Sequence, residues 1–316
     1  MDALDIMVAG SGFFTRAQAR DIGYDDKAIA AAVRAGVWRR FRRGYYSLAT
    51  YWDVLDPTQR YLVRCRAVLD AMGPHVALSH VSGLVAYGIA TWGVPLNLVH
   101  VTRLDGGAGR TEAGVVHHTG VLRPDDVRTH RGMLVLPPER CALEASTWSV
   151  PDPAQSALVH LDSVLHLGLC DPDQLARQFE AMDHWPDSAH LRIPLLMADG
   201  RADGAGESRG RWMFYKYRIP KPELQFPVVD SDGVVRLVCD WAWPDHEALG
   251  EFDGKVKYGR RLLRPGQSAG DVVFEEKVRE DLARELTGYR MVRITWVDYE
   301  HSAATAARVA RTLGLR

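Results

Sequence analysis

Two stretches decide the reading of the C-terminal half: Arg236-Leu237-Val238-Cys239-Asp240-Trp241-Ala242-Trp243, then Ala248-Leu249-Gly250-Glu251-Phe252-Asp253-Gly254-Lys255. In the first, nearly every position on both faces is apolar, the pattern of a covered central strand. An aspartate in its middle costs several kcal/mol unless something compensates it. In the second, a period of two puts Leu249, Glu251, Asp253 and Lys255 on one face. An aspartate on one strand and acid-x-Lys on the next suit a divalent cation held against a phosphodiester. Cleaving that bond needs hard carboxylate oxygens and a cation or base beside the attacking water. Spacing alone is equally consistent with a buried Asp240–Lys255 ion pair and a plain Asp253-Gly254 turn.

The flanking sequence tips the balance. Gly206-Glu207-Ser208-Arg209-Gly210-Arg211 opens a predicted helix, and Ile219 to Phe226 leads into a strand. Downstream, an amphipathic helix is predicted over 273–286 and a strand over 289–296. The order is helix, strand, strand with Asp, strand with acid-x-Lys, helix, strand, helix. With Glu207, Gln225, Asp240, Glu251-x-Asp253-Gly254, Arg279 and Arg293-x-x-Trp296, it resembles the PD-(D/E)-x-K nuclease core over roughly residues 200–316. The likeness is to the branch related to very-short-patch-repair endonucleases in particular. It implies that Asp240, Asp253, Lys255, Glu251 and Glu207 are catalytic. Mg²⁺ (or Mn²⁺) would be held by Asp240, Asp253 and Glu207, with Lys255 orienting or deprotonating the water. Either Glu251 or Asp253 can be the second acid, and Asp253 is preferred because it has a lysine two residues on.

The chain has 316 residues, enough for two or three domains, and its 47% hydrophobic and 25% charged residues are ordinary for a globular protein. No apolar run reaches the length of a membrane span, and Met1-Asp2-Ala3-Leu4-Asp5 lacks the basic start of a signal peptide. Cys65, Cys141, Cys170 and Cys239 form no C-x-x-C pair, so reduced, buried thiols in a cytoplasm are expected rather than disulfides or zinc. The net charge of −1 gives no hint of nucleic acid, but residues 34–43 hold five arginines.

Those arginines belong to a recognisable local pattern. Thr15 and Gln18 form a predicted capping box, Asp21-Ile22-Gly23 breaks the helix, and a second helix starts at Tyr24-Asp25-Asp26 and ends before Gly36. Residues 37–48 alternate basic and aromatic side chains, as in a β-hairpin. Together these predict a winged helix-turn-helix. Its second helix exposes Ala30 and Ala31 between Lys27 and Arg34, and its hairpin offers Arg39, Arg40, Arg42 and Arg43 to phosphates. The segment resembles the N-terminal domain of AbiEi-type antitoxins, notably through Arg43-Gly44-Tyr45-Tyr46-Ser47-Leu48. The likeness continues through Leu78 to Val85, Leu98 to Thr102, Val115 to His118 and a helix over 139–148. It implies double-stranded DNA as partner, with a cognate toxin as a further candidate and no membrane.

The expected architecture is a multi-domain α/β (α+β) protein. A winged helix-turn-helix occupies 1–50, a mixed AbiEi-like middle domain 51–185, and a restriction-endonuclease-like α/β core 186–316. The middle histidines His75, His80, His100, His117 and His118 lack ligand spacing such as H-E-x-x-H and read as structural, with Ser79 as a helix cap. The expected function is a DNA-binding protein with a metal-dependent phosphodiester-hydrolysing module, in phage defence or a toxin–antitoxin setting. The alternative is a non-catalytic transcriptional autorepressor or antitoxin that keeps a nuclease-like scaffold.

Overall fold

A computed structural model of the chain describes residues 2–122, 126–147, 150–182, 185–254 and 269–315, with 269–277 as backbone only. The chain divides into two compact units, residues 1–160 with 169–192, and residues 161–168 with 193–316. Both mix α and β structure, as the sequence predicts.

The first unit opens with α1 (Ala3–Ser11), β1 (Phe14–Thr15), α2 (Arg16–Asp21), α3 (Asp26–Arg34), β2 (Trp38–Arg42) and β3 (Tyr45–Leu48). Local chemistry sets these boundaries. Thr15 and Gln18 close the capping box of α2, Asp25 caps α3 through the Ala28 amide, and Gly36 follows at a φ of 73°. The strands form a small sheet in the order β1-β3-β2. Phe14 meets Trp38 edge-on at 4.7 Å, and Leu4, Val8, Ile29 and Tyr46 close the core around them. This is the winged helix-turn-helix expected of the segment, with α1 added ahead of it.

The same unit continues with α4 (Ala49–Trp52), α5 (Pro57–Met72), β4 (Val76–Leu78), α6 (His80–Tyr87), β5 (Val99–Arg103), β6 (Arg110–Glu112), β7 (Val115–His118), β8 (Arg128–His130), β9 (Met133–Val135), α7 (Pro138–Ser146), α8 (Pro153–His166), whose residues from 161 on belong to the second unit, and α9 (Pro172–Glu180). Six strands form one sheet, ordered β6-β7-β5-β4-β9-β8, against which α6 is buried along its whole length. One local expectation fails here. Ser79 precedes α6 in extended conformation but makes no capping bond, and its hydroxyl lies 3.1 Å from His80 Nδ1 instead. His80 has a φ of 49°, so the first turn does not present its amides to Ser79 in the usual way.

The second unit contains α10 (Arg192–Met197), α11 (Ala205–Lys216), β10 (Glu223–Val229), β11 (Val235–Trp243), β12 (Ala248–Asp253), α12 (Ala269–Thr287), β13 (Arg290–Thr295) and α13 (Ser302–Thr312). The sheet order is β10-β11-β12-β13. Its first three strands are an antiparallel meander, and β12 runs parallel to β13 across the α12 connection. One face packs Phe214, Trp241, Trp243, Val292, Ile294 and Val309, and the other packs Val228, Leu237, Cys239, Leu249 and Ala283. The predicted element order and the covered central strand are both present.

The alternation of faces breaks at one place. Cys239 and Trp241 are two residues apart yet belong to opposite cores, and so do Leu224 and Phe226 on β10. Leu224 pairs with Trp241 and Phe226 with Cys239, so the break falls at Gln225 opposite Asp240. Gln225 takes a φ of 51°, a left-handed conformation that costs energy for a residue with a β-carbon. The strain sits beside the aspartate singled out by the sequence.

Candidate functional site

Three carboxylates gather around this break. Glu207 lies in the first turn of α11, 6% exposed, and its Oε2 accepts from the Asp203 amide at 3.0 Å and from Gln225 Nε2 at 3.1 Å. α11 approaches closely because Gly206 carries no side chain, since a Cβ there would collide with the Phe252 ring. Tyr299 locks the approach by donating to the Gly206 carbonyl at 2.5 Å. Asp240 is held by the next strand, its Oδ2 accepting from the Phe252 amide at 2.7 Å. On either side of Phe252 the acids separate. Glu251 Oε1 lies 3.3 Å from Arg279 Nη2, while Asp253 Oδ2 lies 3.7 Å from Arg293 Nη1.

Electrostatics ties Asp240 to Glu207 and Glu251. Burial pushes the Glu207 carboxyl up to about 8, and the charge of Asp240 adds to the push. Asp240 is itself raised by burial, against the pull of the Phe252 amide and of Arg279. Glu251 is raised by burial too, and Arg279 lowers it while Asp240 raises it further. Desolvated acids with Asp240 felt at both Glu207 and Glu251 are donors that a divalent cation would stabilise. Their oxygens do not lie, as a trio, within 4.8 Å of one another among the described residues. The fourth expected acid, Asp253, is turned to Arg293, whose Nη2 also donates to Glu280 at 3.0 Å. Lys255 lies outside the described residues.

Two groups at this site had no assigned role in the sequence reading. Arg209 stacks over the Tyr299 ring at 4.3 Å and near Trp296 at 5.7 Å, and Tyr299 feels its charge. Tyr299 is buried and feels the charges of Glu207 and Asp240. Arg209 shares a helical turn with Glu207, a signal that could have marked it. Tyr299 carries no local signal, because a long-range contact brings it there.

The expected DNA-contacting residues divide into two groups. On α3, Lys27, Ala30, Ala31 and Arg34 are exposed, as are Arg40 and Arg43 on the hairpin. Arg39 instead pairs with Asp53 at 2.6 Å, and Arg42 donates to the Ala113 carbonyl at 3.1 Å. These two hold the hairpin in place, and Lys27, Arg34, Arg40 and Arg43 stay exposed. The four cysteines are free and buried. No described helix is long and apolar enough to cross a membrane.

Comparisons with known proteins agree with part of this picture. Residues 4–49 match a family described as a transcriptional regulator, AbiEi antitoxin. Two curated relatives from Mycobacterium tuberculosis, the uncharacterized protein MT2308 of strain CDC 1551 / Oshkosh and the uncharacterized protein Rv2248 of strain H37Rv, are each 30% identical over 252 residues. That alignment covers 78% of this chain and 85% of the relative. Among solved structures, the RV2827C protein of M. tuberculosis is a distant likeness at 16% identity and a TM-score of 0.39, covering 69% of this chain and 79% of that one.

Proposed function

We propose, from the premise that this chain belongs to the same family as the M. tuberculosis protein Rv2248, that it is a DNA-binding regulator of the AbiEi antitoxin type with a phosphodiester-hydrolysing module. The winged domain addresses duplex DNA through Lys27, Arg34, Arg40 and Arg43. Phosphate contacts of this kind position a protein on DNA, and a separate module can then act on the backbone. Asp240, with Glu207 or Glu251 beside it, would hold a Mg²⁺ or Mn²⁺ ion. The ion supplies a polarised water and charge stabilisation at the phosphorus. Phe252 orients Asp240 through its amide, Gln225 and Asp203 orient Glu207, and Arg209 and Arg279 offset developing negative charge. Lys255, two residues past Asp253, is the residue assigned to the attacking water.

The observation that carries this reading is that burial raises Glu207, Asp240 and Glu251 together, with Asp240 adding to the push on the other two, at a strained break in the sheet. Perturbed acids beside backbone strain are more common at working sites than in scaffolds. The test is nicking of supercoiled plasmid with Mg²⁺ or Mn²⁺, wild type against Asp240→Asn. Nicking by wild type alone supports the module. If wild type cuts neither DNA nor RNA with either ion, the second reading stands, a non-catalytic autorepressor or antitoxin. That reading is favoured by the regulator match over residues 4–49.

A further inference from the structure

We propose that His80, His100 and His118 form a binding site for a borderline transition-metal ion, Zn²⁺ being the best match, which clamps three adjacent strands of the six-stranded sheet. One ligand nitrogen from each ring lies within 4.8 Å of the others. The rings come from consecutive positions in the sheet. His118 ends β7, His100 is on β5, and His80 follows β4 at the start of α6, with β7, β5 and β4 neighbours in the strand order. His100 Nδ1 and His118 Nε2 meet in a hydrogen bond at 3.0 Å, which brings two ligand nitrogens together and which a bound ion would replace. Imidazole donors with no ligating carboxylate or thiolate beside them select Zn²⁺, Co²⁺, Ni²⁺ or Cu²⁺ over Mg²⁺.

The surroundings supply the outer contact that a metal-bound histidine ordinarily has. Glu144, 2% exposed, accepts from Arg140 Nε through Oε1 at 2.8 Å and turns Oε2 toward His80 Nδ1 at 3.3 Å. Oε2 meets no hydrogen-bond partner of good geometry among the described residues. With Nδ1 aimed at Glu144 and at Ser79, the Nε2 of His80 is the nitrogen left for an ion. A bound cation makes Nδ1–H more acidic and tightens its contact with Glu144. His80 also holds a left-handed φ of 49°, a cost that persists only where the surroundings require this orientation. His118 stacks on His80 with centroids 3.6 Å apart and an interplanar angle of 14°, so both rings would ligate one ion only once His118 turns out of that stack. It is half-buried at the end of its strand.

The site is tested on the full chain, stripped with a chelator and titrated with Co²⁺. Wild type should bind one equivalent with the visible absorption of a tetrahedral, nitrogen-ligated ion, and Zn²⁺ should displace it. Asp240→Asn should keep this band, because oxygen ligation in the second unit gives no such spectrum. His118→Asn should abolish it, and Glu144→Gln should weaken Co²⁺ binding about ten- to a hundredfold. X-ray absorption at the zinc edge of the wild-type, Zn²⁺-loaded protein reads the ligands directly, even if a variant fails to fold. Three imidazole scatterers support the site. A wild type without the band, a band that survives His118→Asn, or an edge spectrum with fewer than two imidazoles overturns it.

Discussion

The imidazoles of the six-stranded sheet and the carboxylates of the four-stranded sheet are both driven toward their neutral forms by burial. The chemical result is opposite in the two places. Burial lowers His100 to about 3 and His118 to about 4, with a second histidine adding to each. A neutral imidazole keeps its lone pair, so desolvation leaves this cluster ready to ligate. In the other sheet burial lifts Glu207 to about 8, and a protonated carboxyl is a poor ligand. Glu207 therefore has to lose a proton before it can ligate, whereas the imidazoles are already neutral. Metal binding in the four-stranded sheet would couple to proton loss at Glu207, and in the six-stranded sheet it would require His118 to leave its stack on His80.

The largest expected effect separates the two acids of β12. Because Asp240 is felt at Glu251, and Asp253 is turned to Arg293, Glu251→Gln should lower Mg²⁺-dependent nicking about a hundredfold or more, as Asp240→Asn does. Asp253→Asn should keep substantial activity. A dead Asp253→Asn beside an active Glu251→Gln would return the site to the arrangement with Asp253 as second ligand. Steady-state nicking rates decide it.

Next comes the dependence of stability on pH. Glu207 is near 8 in the folded chain against an ordinary 4.5, so its contribution is intact below 4.5 and is lost as pH rises through 8. His100 runs the other way, since its stability is present above 6.5 and is lost as pH falls toward 3. In chelator, Glu207→Gln should stabilise the second unit at pH 9 relative to pH 4 by on the order of 4 kcal/mol. Calorimetric melts across that range check it. A variant that keeps the wild-type slope would mean that Glu207 is not the strained group.

A smaller effect tests how closely α11 must approach. Gly206→Ala puts a methyl group into the Phe252 ring and should cost roughly 1–3 kcal/mol in the second unit. Denaturant unfolding measures it, and a neutral result would show that the helix can retreat. The smallest effect concerns the winged domain. Arg40→Ala with Arg43→Ala should reduce the slope of log affinity against log salt by about two, with little change in melting. Arg39→Ala should move that slope less and instead loosen the hairpin, because its partner is Asp53. Equal slopes for the two changes would place the duplex elsewhere.

Much of the fold was legible because its signals are local. The capping box at Thr15 and Gln18, the hairpin over 37–48 and the strand–helix order from α11 to α13 follow from hydrogen bonds and periodicities that span a few residues. α1 was missed because Ala3 to Ser11 is apolar without a clear polar face, and its only marker is the Asp2–Asp5 capping box. Ser79 looked like a cap by composition, but the left-handed φ at His80 removed the geometry a cap requires.

Residue types and their order in the chain were enough to name Asp240, Glu207, Glu251 and Asp253 as candidates and to place basic residues on a winged domain. They could not show which acids face one another. A strict period of two puts Glu251 and Asp253 on equal terms, and strand pairing supplied what that period lacks. The break at Gln225 and Asp240, the close seat of α11 on Phe252 and the pull of Arg293 on Asp253 all arise between residues far apart in sequence. The histidine cluster is the extreme case, with three rings from two strands and the start of α6 and no spacing to announce them. Local sequence determines which elements form, because their hydrogen bonds close within a few residues. Sheet register and helix docking determine which side chains meet, because those contacts exist only once the chain has folded back on itself.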